Sequence, residues 1–424
     1  MIFKFIHKII LVCLMFWIFP SSIAYGQDSN QKLKNVFLRF GNGTENSINE
    51  SGNLKQPFYN VDEGVGWEKL TFSNYSLDYK IGVGGVGTSE WNINGVMGQN
   101  IDMVPQDFKD DNYDSNGHGN LIVTGEINVG TSTLQITNSY TLDQYDAFIQ
   151  VRTTIKNIGT DPITNLRYWV GTRDDHIGGS DRPKKERGNI NGSLFQVNTS
   201  SSERSKALKI ANDTVAILMY TRYPLANTAF TTFDYTNFTA ATIDPAVVPV
   251  SIESQDSSYG LFFRMNDLPA GESDEILWYY AASIESEFED ILKSVSEDAI
   301  INSPPTVVLI DDDLDNTLIN GDSVLVTATF NKAMKATPTV EIDGSVLEPT
   351  PMSATSSSAI WVYTIDVDTL FSLDGTYALS VSGTDINGYA FAGTDSLTYI
   401  VDTATPTVTL TDDHADGYLV SSDV

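Results

Sequence analysis

The segment Pro305 to Ser323 returns at Pro406 to Val424, at a constant offset of 101 residues and with nine of nineteen positions identical. Both copies open Pro-Thr-Val and reach an aspartate run at their seventh residue, Asp311 and Asp412. A period near 100 residues is longer than the roughly 20–50 residues of a solenoid repeat, so each period has to bury a core of its own. Short strands packed as a two-sheet sandwich meet that requirement at about 100 residues per module. The second copy reaches Val424 just after its first strand-like run. One strand buries too little to stand alone, so the chain is expected to be a piece of a longer tandem array.

Upstream of the repeat the pattern is again that of strands. Ile149, Val151 and Ile155 alternate with Gln150, Arg152, Thr154 and Lys156, and Leu166, Tyr168 and Val170 alternate with Arg167 and Trp169. Period-two alternation marks half-buried strands. Turn clusters at 157–162 and 269–272 punctuate them. Residues 27–303 therefore read as one large antiparallel β-sandwich. One helix follows, with Phe288, Ile291, Leu292 and Val295 on one face and Ser286 to Glu289 as a capping box. It is expected on the sandwich edge. Asn302-Ser303-Pro304-Pro305 is a stiff linker into a second sandwich, 304–404, in which Val324, Val326, Ala328 and Phe330 alternate with polar neighbours. Residues 405–424 are expected to be the first strand of a further copy. The fold class is all-β.

Charge narrows the partners. The chain carries 55 acidic and 25 basic residues, a net −30, which argues against nucleic acid and anionic membrane surfaces. Residues 301–424 hold 18 acids and 2 bases. Residues 1–26 have Lys4 and Lys8, an apolar run from Ile9 to Phe19 and a small-x-small end at Ala24-Tyr25-Gly26. That is an export signal cleaved before Gln27, too short in its apolar part to span roughly 30 Å of bilayer. No transmembrane segment is expected in the mature chain. Cys13, the sole cysteine, leaves with the signal, so disulfides, zinc-thiolate sites and a cysteine nucleophile are excluded.

Two resemblances are specific enough to name. Gly321-Asp322-Ser323 leading into Val326-Thr327-Ala328-Thr329-Phe330-Asn331, then Gly383 to Gly388, then Val401 to Pro406, resembles the bacterial Ig-like repeats of secreted surface proteins. Asp374-Gly375-Thr376-Tyr377 before Ala378-Leu379-Ser380-Val381 resembles the tyrosine corner of such sandwiches, with Leu379 where antibody domains have cysteine. The resemblance implies spacer or adhesion modules without catalytic residues, a secreted or cell-surface location in a bacterium, and further repeats beyond Val424. Asn138 to Leu142, Ala147 to Asn157 and Gly159 to Tyr168, with the 268–273 turn before Ile276 to Tyr280, are similar to supersandwich domains related to galactose mutarotase. Many of those bind or process carbohydrate and others are scaffolds. No mutarotase catalytic set carries over.

Three polar clusters are candidate sites, each with a plainer reading beside it. Asn112, Asp114 and Asn116 alternate ahead of Gly117, like the first half of a calcium loop, but the twelfth position is Val123, which argues against an EF-hand and favours an Asx-rich surface turn over calcium. Asp174, Asp175, His176, Asp181 and Arg182 follow a predicted strand and form either a ligand site or a solvated hairpin tip. Asp311, Asp312, Asp313 and Asp315, matched by Asp412 and Asp413, stand after the linker, and Asp402 stands before the next copy. They either share calcium at a module joint or keep an acidic stalk hydrated.

Catalytic motifs are absent from the sequence. The histidines of the mature chain are His118, His176 and His414, and no G-x-S-x-G, H-E-x-x-H or phosphate loop accompanies them. A pair of carboxylates distant in sequence could still serve a glycosidase or lyase. Trp67, Trp91 and Tyr113 sit in polar surroundings suited to stacking on sugars, whereas Trp169, Trp278 and Trp361 lie in strand patterns and read as core. The reading is an adhesin-like secreted or surface protein that presents an N-terminal domain to an extracellular glycan or surface protein on Ig-like spacers. A polysaccharide-active enzyme, or its binding part, and a purely structural stalk are the alternatives.

Overall fold

The computed structural model describes residues 31–62, 66–84, 104–111, 113–114, 116–129, 132–231, 247–344, 347–391 and 395–411. The segment read as an export signal, Trp91, Asn112, Asp412, Asp413 and His414 lie outside them. Two compact units divide the chain, Met1–Ala299 and Ile300–Val424.

The first unit rests on a ten-stranded antiparallel sheet. Its order is Leu194–Val197, Lys184–Asn191, Ala207–Ala211, Val215–Thr221, Ser273–Ile284, Phe148–Asn157, Ser132–Leu142, Gly119–Val129 and Val104–Asp111, with Ser251–Ile252 beside Lys184–Asn191. Ser132–Leu142 alternates buried and half-buried through all eleven residues, as a strand with one face on a core must. A four-stranded sheet, Ala226–Thr231, Ser258–Arg264, Thr164–Thr172 and Asp78–Gly84, shares that core, and a three-stranded sheet, Leu38–Phe40, Pro57–Asp62 and Gly66–Lys69, adds Leu38, Phe40 and Tyr59 to it. Trp169 lies so close over Gly260 that a Cβ there would stand 2.6 Å from its indole nitrogen, which is why that strand position is glycine.

Val215–Thr221 is buried throughout because both its faces are covered. Val215, Ile217 and Met219 enter the sandwich core, while Ala216, Leu218 and Tyr220 enter a second core with the helix Phe288–Asn302. The helix buries Phe288, Ile291, Leu292 and Val295 across the outer face of the middle strands, not at the sandwich edge where the sequence placed it. The reason is in those strands: an edge position would leave Leu218, Tyr220 and Tyr279 in water. Ala207, Ala216 and Ala281 keep that face low enough for the helix to approach. Leu292, wholly buried, would cost about 2–5 kcal/mol if cut to alanine. The helix is entered through a 3-10 turn, Glu285–Glu287, so Ser286 lies within that turn.

The second unit is a two-sheet sandwich. Val307–Ile310, Ser323–Phe330, Ile360–Asp366 and Ser353–Ala354 form one sheet, and Thr317–Leu318, Ser396–Val401, Gly375–Ser382, Thr339–Ile342 and Thr350–Pro351 form the other. Residues 311–316 carry the chain from the first sheet to the second, where Thr317–Leu318 pairs in parallel with Ser396–Val401. Val326, Ala328, Ile365, Leu379 and Tyr399 fill the core, and Trp361 is buried at its margin. The Tyr377 hydroxyl donates to the Leu373 carbonyl at 2.9 Å, closing the corner that the sequence marks. Residues 402–411 carry no regular secondary structure. No helix among the described residues is long and apolar enough to cross a membrane.

Candidate functional site

Register places the site. In the four-stranded sheet Thr172 stands opposite Tyr259, Asp78 opposite Gly171 and Thr231 opposite Ser258. The chain leaving Thr164–Thr172 therefore meets the chain entering Ser258–Arg264 at one sheet end, and Asp174 and Asp175 come beside Asp256 and Ser257. One carboxylate oxygen from each of Asp174, Asp175 and Asp256 falls within 4.8 Å of the others, the one such acidic group among the described residues.

Asp175 is wholly buried and forms an ion pair with Lys185, itself wholly buried. The lysine also donates to the carbonyls of Pro183 at 3.0 Å and Gln255 at 2.8 Å, so its three protons are placed. Asp175 Oδ2 accepts from Lys185 and from the Ser257 amide and hydroxyl, at 2.9 and 3.0 Å. Its Oδ1 accepts nothing, and neither does the buried Oδ1 of Asp256. Unpartnered buried oxygens cost roughly 1–3 kcal/mol each, so this site stores unfavourable energy. Burial pushes the Asp175 carboxyl up to about 6, against the pull of Lys185 and Ser257, and Asp174 adds to the rise. Asp174 is also raised, by burial first and then by Asp181 and Asp256, with the His176 amide opposing.

The neighbouring loop is tight. Ile177 and Ser180 exchange two backbone hydrogen bonds of 2.9 Å around Gly178 and Gly179, whose φ angles are +51° and +82°. That is the two-residue hairpin geometry for which glycine is suited. The Asn212 side chain donates to the Ile177 carbonyl at 3.0 Å, and the Gly178 amide donates to the Lys69 carbonyl at 3.1 Å. His176 Nδ1 lies 3.9 Å from Asp181 Oδ1, its ring set edge-on to Phe72. Arg182 is exposed. The five residues singled out by sequence thus divide: Asp174 and Asp175 enter the buried cluster, His176 and Asp181 face each other on the hairpin, and Arg182 stands outside both.

Sequence reasoning missed Asp256, Ser257 and the inward aim of Lys185. Asp256 lies 81 residues beyond Asp175, and only strand register unites them. Lys185 and Arg187 both point inward from Lys184–Asn191, where apolar residues would be expected. Arg187 spends its guanidinium on the Val248 carbonyl at 2.9 Å and the Asn227 side chain at 2.7 Å, a structural role.

The other acidic clusters turn to their own backbone. Asp114 Oδ1 accepts the amides of Asn116, Gly117 and His118 at 2.9–3.2 Å, and Oδ2 lies 3.1 Å from the His118 ring. That is an Asx turn; Asn116 serves it, and Asn112 lies outside the described residues. Asp311 accepts from the Asp313 amide at 3.2 Å and the Tyr399 hydroxyl at 2.7 Å. Asp312 accepts the Leu325 amide, Asp313 the Leu314 amide, Asp315 the Thr317 amide and Asp402 the Ala404 amide. The carboxylates of 311–315 and Asp402 do not gather as a group. Trp67 sits under the Arg39 guanidinium at 4.6 Å, and Tyr113 donates to the Lys32 carbonyl at 2.7 Å.

No family model matches the chain, and no curated protein matches it. Solved structures are similar at low likeness. An aldose 1-epimerase-type protein from Escherichia coli K12 covers 60% of this chain and 98% of its own, at 8% identity and a TM-score of 0.31. A galactose mutarotase related enzyme from Lactobacillus acidophilus covers 59% and 96%, at 8% and 0.31. A heparan sulfate lyase from Pedobacter heparinus covers 78% and 42%, at 8% and 0.27. All three are named for chemistry on carbohydrates.

Proposed function

We propose that the chain is an extracellular carbohydrate-recognition protein of adhesin type. Its N-terminal sandwich binds a neutral glycan, and its C-terminal sandwich, which resembles bacterial Ig-like repeats, serves as a spacer. The observation that supports this reading is the rigid hairpin at the strand ends, where His176 and the exposed Asp181 stand beside the buried cluster of Asp174, Asp175 and Asp256 that anchors it. Binding groups on loops held by a stiff scaffold recognise ligands without first paying an ordering cost. Carboxylates accept the hydroxyls of sugars, and residues 27–300 carry 37 acids against 21 bases, a field that repels polyanionic glycans.

Turnover is the weaker reading. A carboxyl raised to about 6 beside other carboxyls suits a general acid. The Asp175 side chain, however, is 0% exposed and held on Oδ2 by Lys185 and Ser257, so a glycosidic oxygen does not reach it.

Depletion of the purified chain by insoluble and immobilised polysaccharides, neutral and anionic, tests the proposal. Retention on a neutral glycan, at least tenfold weaker for His176→Ala/Asp181→Ala, is expected. No retention on any glycan overturns recognition, and new reducing ends in the supernatant would replace it with catalysis.

A further inference from the structure

We infer that Asp174, Asp175 and Asp256 form a calcium site in the N-terminal unit. The charge count points to a divalent ion. Among the described residues Lys185 is the one cation paired with the three carboxylates, and three negative charges less one positive leave two, the charge of Ca²⁺. One oxygen from each carboxylate lies within 4.8 Å of the others, close enough for all three to ligate a single ion at Ca–O distances of about 2.3–2.6 Å. Mg²⁺ dehydrates reluctantly and demands near-ideal octahedral geometry, whereas calcium accepts an irregular set of carboxylate oxygens and water.

The independent observation is the pair of unsatisfied oxygens. Asp175 has a side chain 0% exposed, yet its Oδ1 accepts no hydrogen bond, and Asp256 Oδ1 is buried and equally without a donor. The same side chain shows that donors were not lacking, since Asp175 Oδ2 takes three. Asp174 gives one oxygen to the His176 amide at 3.1 Å and keeps the other. A hard cation binds such oxygens directly and relieves the repulsion among the three groups. Asp256 is only half-buried, which leaves a side open for the waters that complete calcium's six to eight ligands. The inference stands apart from the glycan reading, because the readout is the ion alone.

Calorimetric titration of the chelator-treated, dialysed full chain with CaCl₂ tests it, with MgCl₂ in parallel. One calcium per chain at this site is expected, bound at least tenfold more weakly by Asp256→Asn and at least tenfold more tightly than magnesium. Asp256→Asn is the informative variant because Asp256 is the most accessible of the three and its loss leaves the Lys185–Asp175 pair in place. Asp114→Ala and Asp311→Asn should bind as the parent does. The site is overturned by absence of binding, by unchanged affinity in Asp256→Asn, by equal affinity for magnesium, or by loss of binding in Asp114→Ala or Asp311→Asn. Retention on glycan that ignores calcium would leave the recognition reading intact while removing any part for the ion in it.

Discussion

A buried lysine–aspartate pair stands in each unit, and the two pairs are finished differently. In the C-terminal unit Lys332 pairs with Asp385 at 2.6 Å and also donates to the carbonyls of Ile301 and Ser303. Asp385 Oδ1 accepts the amides of Asn387 and Tyr389, both at 2.9 Å. Burial alone would raise that carboxyl; the bonds from Lys332, Tyr389 and Asn387 more than offset it and hold it below the usual range. In the N-terminal unit Lys185–Asp175 is more deeply buried, but Asp175 leaves an oxygen empty and has Asp174 and Asp256 at its side. A pair in which both carboxylate oxygens are used serves the fold. One that keeps an idle oxygen among like charges has a destabilising arrangement that the fold alone does not require.

The largest expected effect breaks the pairs in turn. Lys185→Met leaves three carboxylates without a cation and should cost the N-terminal unit about 3–5 kcal/mol. Lys332→Met leaves Asp385 with two amide donors and should cost the C-terminal unit less, about 1.5–3 kcal/mol. Scanning calorimetry of both variants checks this, and equal losses would erase the distinction between the sites.

Acidity should move the two units in opposite directions. In chelator, the raised carboxyl of Asp175 favours folding while protonated. Its contribution is complete below about pH 4 and is lost as the pH rises through about 6. Asp146 acts in the same sense, lifted to about 6 by burial, Asp143 and Asp298. Asp385, held low, contributes above the unfolded carboxylate value and loses that contribution as the pH falls through its folded value. The N-terminal transition should therefore climb from pH 7 to pH 5, while the C-terminal one drops below about pH 4. A flat or falling N-terminal transition over that interval would show that Asp175 is not the buried acid described.

What sequence showed and hid follows from what periodicity measures. Alternation in Ile149 to Lys156 and in Val324 to Phe330 exposed strands because apolar residues repeat at the pitch of a pleat. Tyr377 announced its corner through local spacing. The continuous run Val215–Thr221 carried no phase, so the second core and the face the helix covers were not legible. The acid cluster was half legible: Asp174 and Asp175 are adjacent, but Asp256 joins them through pairing of Thr164–Thr172 with Ser258–Arg264, and Lys185 contradicts the rule that charges face water.

Aspartates that look alike in sequence should also differ under substitution, by the smallest margin. Asp311 belongs to a run as acidic as any in the chain, yet its work is to accept the hydroxyl of wholly buried Tyr399 and the Asp313 amide. Burial and that acceptor together raise the Tyr399 phenol. Asp311→Ala strands the hydroxyl and should cost about 1–3 kcal/mol. Asp311→Asn preserves an acceptor and removes the charge, so it should fall within about 0.5 kcal/mol of the parent in urea unfolding. At Asp256, by contrast, loss of charge alone is expected to weaken calcium binding tenfold. If Asp311→Asn proved as damaging as Asp311→Ala, charge rather than hydrogen bonding would be what this run supplies, and the contrast between the two acidic regions would close.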